Sequence, residues 1–136
     1  MPKVLISDKM DPKAAEIFRA RGVEVDEITG KTPEELKAII GDDDGLAIRS
    51  CTKVTPDLLE AATKLKVIGR AGIGVDNVDV PAATARGVVV MNTPFGNSIT
   101  TAEHAVAMMF ALARQLPEAD ASTQAGKWEK NRFMGV

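Results

Sequence analysis

The sequence predicts an α/β fold: a five-stranded parallel sheet with helices on both faces, followed by a long C-terminal helix. Three observations predict it. Short Val/Ile/Leu-rich runs alternate with helical patterns over residues 1–96. Four of the five runs are continuously apolar, as strands covered on both faces are. The helical patterns between them open and close on capping residues, so each return to the sheet is a crossover, and crossovers join parallel strands.

The runs are Lys3–Ser7, Val23–Ile28, Gly45–Arg49, Lys66–Arg70 and Val88–Met91. Val23–Ile28 alternates polar and apolar residues, which suits an edge strand. Asp11-Pro12, Thr32-Pro33 and Thr55-Pro56 each place an N-cap residue before a proline at the first helical position. Glu35, three residues after Thr32, completes a capping box. Gly22, Gly41 and Gly87 stand where helices are expected to stop. At this size the strand order expected is the flavodoxin-like one.

The last third breaks the rhythm. Asn97 to about Gln115 reads as one helix, apolar on nearly every face in its middle, a pattern normally buried between two layers. Pro117 is placed to start a second helical segment that Gly126 ends, and the tail Lys127–Val136 is basic and aromatic. A small domain has little use for such a helix, so the chain is expected to be part of something longer. The longest unbroken apolar run, Ala105–Ala113, is nine residues, too short to span a bilayer.

Composition narrows the function classes. The 136 residues are 45% hydrophobic and 26% charged, ordinary for a globular protein, with a formal net charge of −2. That balance gives no reason to expect nucleic acid or an anionic membrane as partner. One cysteine, Cys51, excludes an internal disulfide and a cysteine-rich metal site, and no metal site is expected. The start lacks a signal peptide's length and cleavage site, so the cytoplasm is the expected location.

Ligands of parallel sheets bind at the carboxyl ends of the strands. There the sequence places Ser7-Asp8, Arg49-Ser50-Cys51-Thr52-Lys53, the loop Ala71-Gly72-Ile73-Gly74-Val75-Asp76-Asn77, and Asn92 to Ser98. The double-glycine loop can approach a ligand closely and aim N–H groups at an anion, while the acidic and amide residues after it can cap the next helix. It is not the dinucleotide fingerprint, because Asn77 stands where the third glycine of G-x-G-x-x-G belongs. Arg49 and Lys53 suit a small doubly anionic ligand such as a phosphorylated carboxylic acid. The alternative is that both simply pair with surface carboxylates such as Asp8 or Asp76. Asn97 or Ser98 reads as the cap of the long helix. His104, the one histidine, reads as a partly buried packing residue, Cys51 as a small apolar filler, and Asp42-Asp43-Asp44 as a solvated turn.

Together these stretches resemble a family. Arg49-Ser50-x-Thr52-Lys53-Val54-Thr55, Gly69-Arg70-Ala71-Gly72-x-Gly74-Val75-Asp76-Asn77-Val78-Asp79 and Val90-Met91-Asn92-Thr93-Pro94-x-Gly96-Asn97-Ser98 are similar to the D-isomer-specific 2-hydroxyacid dehydrogenases, closest to the members acting on 3-phosphoglycerate. The tail motif Gly126-Lys127-Trp128-Glu129-Lys130-x-x-Phe133-Met134-Gly135 resembles the same members.

The resemblance implies that 1–96 is a substrate-binding domain and 97–136 a crossing helix with the start of a linker to an NAD-binding domain. That domain would hold most of the NAD site and the catalytic arginine, glutamate and histidine, so no residue of this chain is expected to be catalytic and the chain alone is expected to be inactive. It implies that Arg49 and Ser50 bind substrate phosphate, that Ala71 and Gly72 offer backbone N–H groups to its carboxylate, and that Asn97 lines the cleft. Ile73, standing where some relatives have threonine, and Ser98 would lie near the nicotinamide of NAD. Trp128, Lys130 and Arg132 resemble a segment that reaches a neighbouring subunit, implying a homodimer or higher homo-oligomer. Two other readings are a fragment acting on a different D-2-hydroxy acid, and a non-catalytic binding or phospho-receiver module. A receiver needs an aspartate at the end of strand three and a lysine after strand five, where this chain has Arg49-Ser50 and Asn92-Thr93.

Overall fold

The computed structural model describes residues 1–135 and divides into two compact units, Met1–Gly96 and Asn97–Val136. The first unit carries five strands, β1 (Lys3–Ile6), β2 (Glu24–Glu27), β3 (Gly45–Ile48), β4 (Val67–Arg70) and β5 (Val89–Met91), all parallel, in the order β2-β1-β3-β4-β5. This is the flavodoxin-like order expected from the alternation, with β2 at an edge as its polar pattern requires.

The helices of this unit are α1 (Lys13–Ala20), α2 (Pro33–Ile39), α3 (Pro56–Ala61) and α4 (Val80–Ala85). Their starts follow the local chemistry. Thr32 accepts from the Glu35 N–H while the Glu35 carboxylate accepts from the Thr32 N–H, a complete capping box. Thr55 accepts from Leu58 N–H and Asp79 from Ala82 N–H. Gly22 and Gly87 follow α1 and α4 with φ of 74° and 72°, the left-handed stop that glycine takes without strain. Gly41 behaves differently. The chain tightens into a 3-10 turn over Ile40–Asp42, with Gly41 inside it. A Cβ there would lie 3.4 Å from the Ala61 carbonyl oxygen, an ordinary van der Waals contact.

Register divides the core. Leu5, Leu46 and Ile68 align across β1, β3 and β4 and point to one face, where they pack with Leu36, Leu58, Leu59 and Ala83 of α2, α3 and α4. Val4, Ile6 and Ala47 point to the other face, onto Ala15 and Phe18 of α1. On that second face α1 covers the β2–β1–β3 side and leaves β5 uncovered. Val89 and Met91 of β5 remain 58% and 53% exposed, so β5 is not covered on both faces as its apolar run suggested.

In the second unit, α5 (Ser98–Ala113) is the expected long helix and α6 (Leu116–Gln124) the segment begun near Pro117, with Gly126 just past its end. Asn97 occupies the N-cap position of α5, but no side chain caps it; Thr101 N–H bonds the Asn97 carbonyl instead. No residue of α5 is buried, and His104 is exposed, not a packing residue within this chain. Ser122 Oγ, in α6, donates to Glu129 Oε2 beyond it at 2.5 Å, and Arg132 donates to the same oxygen at 3.1 Å. No helix among the described residues is long and apolar enough to cross a membrane.

Candidate functional site

The carboxyl ends of β1, β3 and β4 bring together the first-unit residues singled out in the sequence. Arg49 and Ser50 follow β3 directly and are exposed. The Arg49 guanidinium donates to the Lys9 carbonyl oxygen at 3.2 Å, and neither Arg49 nor Lys53 forms an ion pair among the described residues. The surface-pairing alternative therefore does not hold.

Asp8, expected on the surface, is 5% exposed and serves the loop's backbone. Its Oδ2 accepts from the N–H groups of Arg49 at 2.7 Å, Cys51 at 3.1 Å and Thr52 at 3.1 Å, and its Oδ1 from Thr52 Oγ1 at 2.6 Å and Thr52 N–H at 3.0 Å. Burial by itself raises the Asp8 pKa. The hydrogen bonds from Thr52, Arg49 and Cys51 outweigh it and hold the carboxyl below its ordinary 3.8. Cys51 is exposed and not an apolar filler, because the loop spends its backbone N–H on Asp8 and leaves its side chain outside the core.

Asn77 secures the same loop from the β4 side. Its Nδ2 donates to the carbonyl oxygens of Arg49 at 2.7 Å and Thr52 at 2.6 Å. Val54 then bridges Val78 as a short parallel pair, with Val54 N–H on the Asn77 carbonyl and Asp79 N–H on the Val54 carbonyl. Of the acidic and amide residues able to cap α4, Asp79 does so, while Asn77 spends its amide on the Arg49–Thr52 loop.

The double-glycine loop is shaped by Arg70, a residue the sequence reading used only as part of a motif. Arg70 ends β4 with a side chain 12% exposed; its Nη2 lies 3.8 Å from Asp76 Oδ1, and its Nε is buried without a partner. A Cβ at position 72 would sit 2.4 Å from Arg70 Nη1, so glycine there makes room for the guanidinium. The N–H of Ala71 bonds the Ile48 carbonyl and that of Gly72 bonds the Arg70 carbonyl, so, against the expectation from the resemblance, neither is left to meet a carboxylate. The N–H groups of Ile73, Gly74 and Val75 find no acceptor among the described residues. Asn92 Nδ2 donates to the Ile73 carbonyl at 2.7 Å and ties the loop to the end of β5. Ile73 itself points an exposed aliphatic side chain outward. Asn97 and Ser98 belong to the second unit, where both are exposed at the start of α5.

Cavities flank the rim. One, about 400 Å³, is lined by Ser7, Asp8, Lys9, the Thr29–Lys31 loop, Pro33, Leu36 and Cys51–Lys53. Another, about 520 Å³, lies between Ser50, Lys53–Pro56 and Asp76–Asp79. The Asp42–Asp44 turn is solvated only in part: Asp42 and Asp44 pair with Lys64 and Lys66, but Asp43 is buried.

The rim brings together a guanidinium without an ion pair and a glycine loop with N–H groups lacking acceptors, both among the described residues, an arrangement chemically able to receive an anion. Residues 4–128 match the catalytic-domain profile of the D-isomer specific 2-hydroxyacid dehydrogenases. The chain belongs to this family. The three-motif resemblance is thereby borne out, and the phospho-receiver reading falls. As a 2-hydroxyacid dehydrogenase segment it is 54% identical over 134 residues to D-3-phosphoglycerate dehydrogenase of Sus scrofa and 48% identical to that of Archaeoglobus fulgidus. In each case the match covers 98% of this chain and 25% of the relative. The chain thus spans about a quarter of the length of these curated relatives. Among solved structures, NAD⁺-bound 3-phosphoglycerate dehydrogenase of Entamoeba histolytica aligns with a TM-score of 0.73 at 33% identity, over 83% of this chain and 39% of that one. NAD-dependent formate dehydrogenase of Staphylococcus aureus aligns with a TM-score of 0.75 at 25% identity, over 98% of this chain and 44% of that one.

Proposed function

We propose that this chain is the substrate-binding part of an NAD-dependent D-3-phosphoglycerate dehydrogenase, which oxidises 3-phosphoglycerate to 3-phosphohydroxypyruvate in serine biosynthesis. The relatives named above support the substrate. Within the chain, one observation carries the reading: Arg49 presents a guanidinium with no ion-pair partner among the described residues, on a loop fixed from both sides. A planar, permanently charged donor fork matches a phosphate bidentately.

In this reading Arg49 and Ser50 hold the phosphate. The loop beginning at Ala71 and Gly72 takes the carboxylate, through the free N–H groups of Ile73, Gly74 and Val75. Asn97 lines the cleft. The exposed aliphatic side chain of Ile73 fits the flat apolar surface of a nicotinamide, and the Ser98 hydroxyl, unused as a cap, is free to bond its amide. When bound, NAD supplies the hydride acceptor. This chain's part is to fix the hydroxy acid by both anionic ends, so that its C2 is held still. No dinucleotide fingerprint stands in these 136 residues, so the segment alone turns over no 3-phosphoglycerate. The complete enzyme works in the cytoplasm as a homodimer or larger homo-oligomer.

The test is Arg49→Ala in the full-length dehydrogenase that carries this segment, titrated with 3-phosphoglycerate and separately with NADH. Substrate affinity falls by about 1.5–3 kcal/mol, one charged hydrogen-bonded contact, and NADH affinity stays level. Equal loss for both ligands assigns Arg49 to the fold. No loss for either moves the phosphate elsewhere on the rim, with Lys53 next.

A further inference from the structure

We propose that Asp8 and Asn77 are positioning residues for substrate, acting through Arg49 as a two-sided clamp on the Arg49–Thr52 loop. The proposal rests on the reading of Arg49 as the phosphate anchor. Its own warrant is geometric.

A loop that holds an arginine at a sheet rim faces two problems. Its backbone polar groups need partners, and a nearby carboxylate would capture the guanidinium. Asp8 answers both. Both of its oxygens are filled by donors of the loop: three backbone N–H groups and the Thr52 hydroxyl. A carboxylate so occupied and 5% exposed has no lone pair facing the rim, so it steadies the Arg49 backbone without neutralising the Arg49 side chain. Asn77 completes the job on the acceptor side, since its amide N–H₂ reaches the carbonyls of Arg49 and Thr52 together. Only an amide nitrogen can face two carbonyl oxygens, so the pattern also fixes the orientation of the Asn77 side chain. Arg49 thus has its N–H held by β1's end and its C=O held by the β4–α4 loop. Displacing either fixture moves the guanidinium relative to the glycine loop, and small displacements of a positioning group are costly. Ser7 Oγ, 2.8 Å from Thr52 Oγ1, extends the network into the core.

The experiment uses the full-length dehydrogenase with NAD. Asp8→Asn keeps the shape but turns one acceptor edge into a donor facing donors. Thr52→Val removes a single hydroxyl, and Asn77→Ala removes the opposite fixture. Each raises the KM for 3-phosphoglycerate by roughly 3- to 10-fold, bounded by the effect of Arg49→Ala, with the KM for NAD unchanged. Each adds less than about two-fold on an Arg49→Ala background, because residues that act through one group are not additive. If Asp8→Asn fails to fold, Thr52→Val and Asn77→Ala decide the matter. Full additivity with Arg49→Ala, or equal rises in both KM values, overturns the clamp and leaves the substrate reading standing. An Arg49→Ala enzyme with an unchanged KM for 3-phosphoglycerate overturns both.

Discussion

Asp43→Asn should make this protein more stable at neutral pH. Asp43 ends the 3-10 turn between α2 and β3, is 1% exposed, and has an Oδ1 with no hydrogen-bond partner. Its neighbours are provided for: Asp42 pairs with Lys64 at 2.7 Å, and Asp44 pairs with Lys66 at 2.7 Å while accepting from Lys3 N–H. Burial pushes the Asp43 pKa up from 3.8. The Lys3 ammonium pulls it partly back, and Asp26, Asp42 and Asp44 push it up further. Asparagine keeps the shape and deletes the charge. A buried polar atom without a partner costs about 1–3 kcal/mol, and the amide oxygen retains part of that, so the expected gain is about 1 kcal/mol. For a unit of this size that is a rise of about 4–8 °C in Tm. The pH dependence carries the sign. A carboxyl whose folded pKa is raised leaves the folded state unpenalised below its unfolded value, near 3.8. The penalty grows as pH rises from there through the raised folded value, and is complete above it. The advantage of Asp43→Asn is therefore present at pH values above the unfolded one, grows as pH rises, and shrinks toward zero on acidification. Urea unfolding of wild type and variant at pH 7, and at the lowest pH where both fold, measures it. A variant no more stable at pH 7, or an advantage unchanged at low pH, refutes the reasoning.

Other outcomes follow from the same kind of argument. Asp8 has a lowered folded pKa, so its contribution to stability is present above about pH 4 and lost as pH falls through the folded value; acid unfolding of Asp8→Asn, monitored by circular dichroism, should be less steep below pH 4 than that of wild type. Gly72→Ala forces the Arg70 guanidinium aside, a movable side-chain end, and should cost about 1–2 kcal/mol in urea unfolding; a loss above about 4 kcal/mol would mean that the backbone itself cannot admit a side chain. The 136-residue chain should self-associate, because Ile99, Met109, Phe110, Leu112 and Leu116 are all exposed in the second unit; a lone monomer in sedimentation at high concentration would contradict this.

What the sequence by itself determined was whatever a few neighbouring residues decide. The Thr32–Glu35 box, the Thr55 and Asp79 caps, the stops at Gly22 and Gly87 and the polar edge strand β2 all depend on contacts within a turn or on the two-residue period of a strand. Strand order followed because right-handed crossovers leave few alternatives. The position of Arg49 at a strand's carboxyl end was legible for the same reason. Tertiary structure decided what depends on partners far along the chain. Asp8 and Thr52 are 44 residues apart, and nothing near Asp8 announces that a loop will fill both its oxygens. Asp43 looks like its two acidic neighbours, yet packing buries it and leaves them out. Gly41 resembles a helix stop but sits inside a 3-10 turn, and Gly72 is held small by Arg70 folded back beneath it. Hydrogen bonding and burial at these positions are set by register and close packing, which bring together groups whose separation in sequence carries no signal of its own.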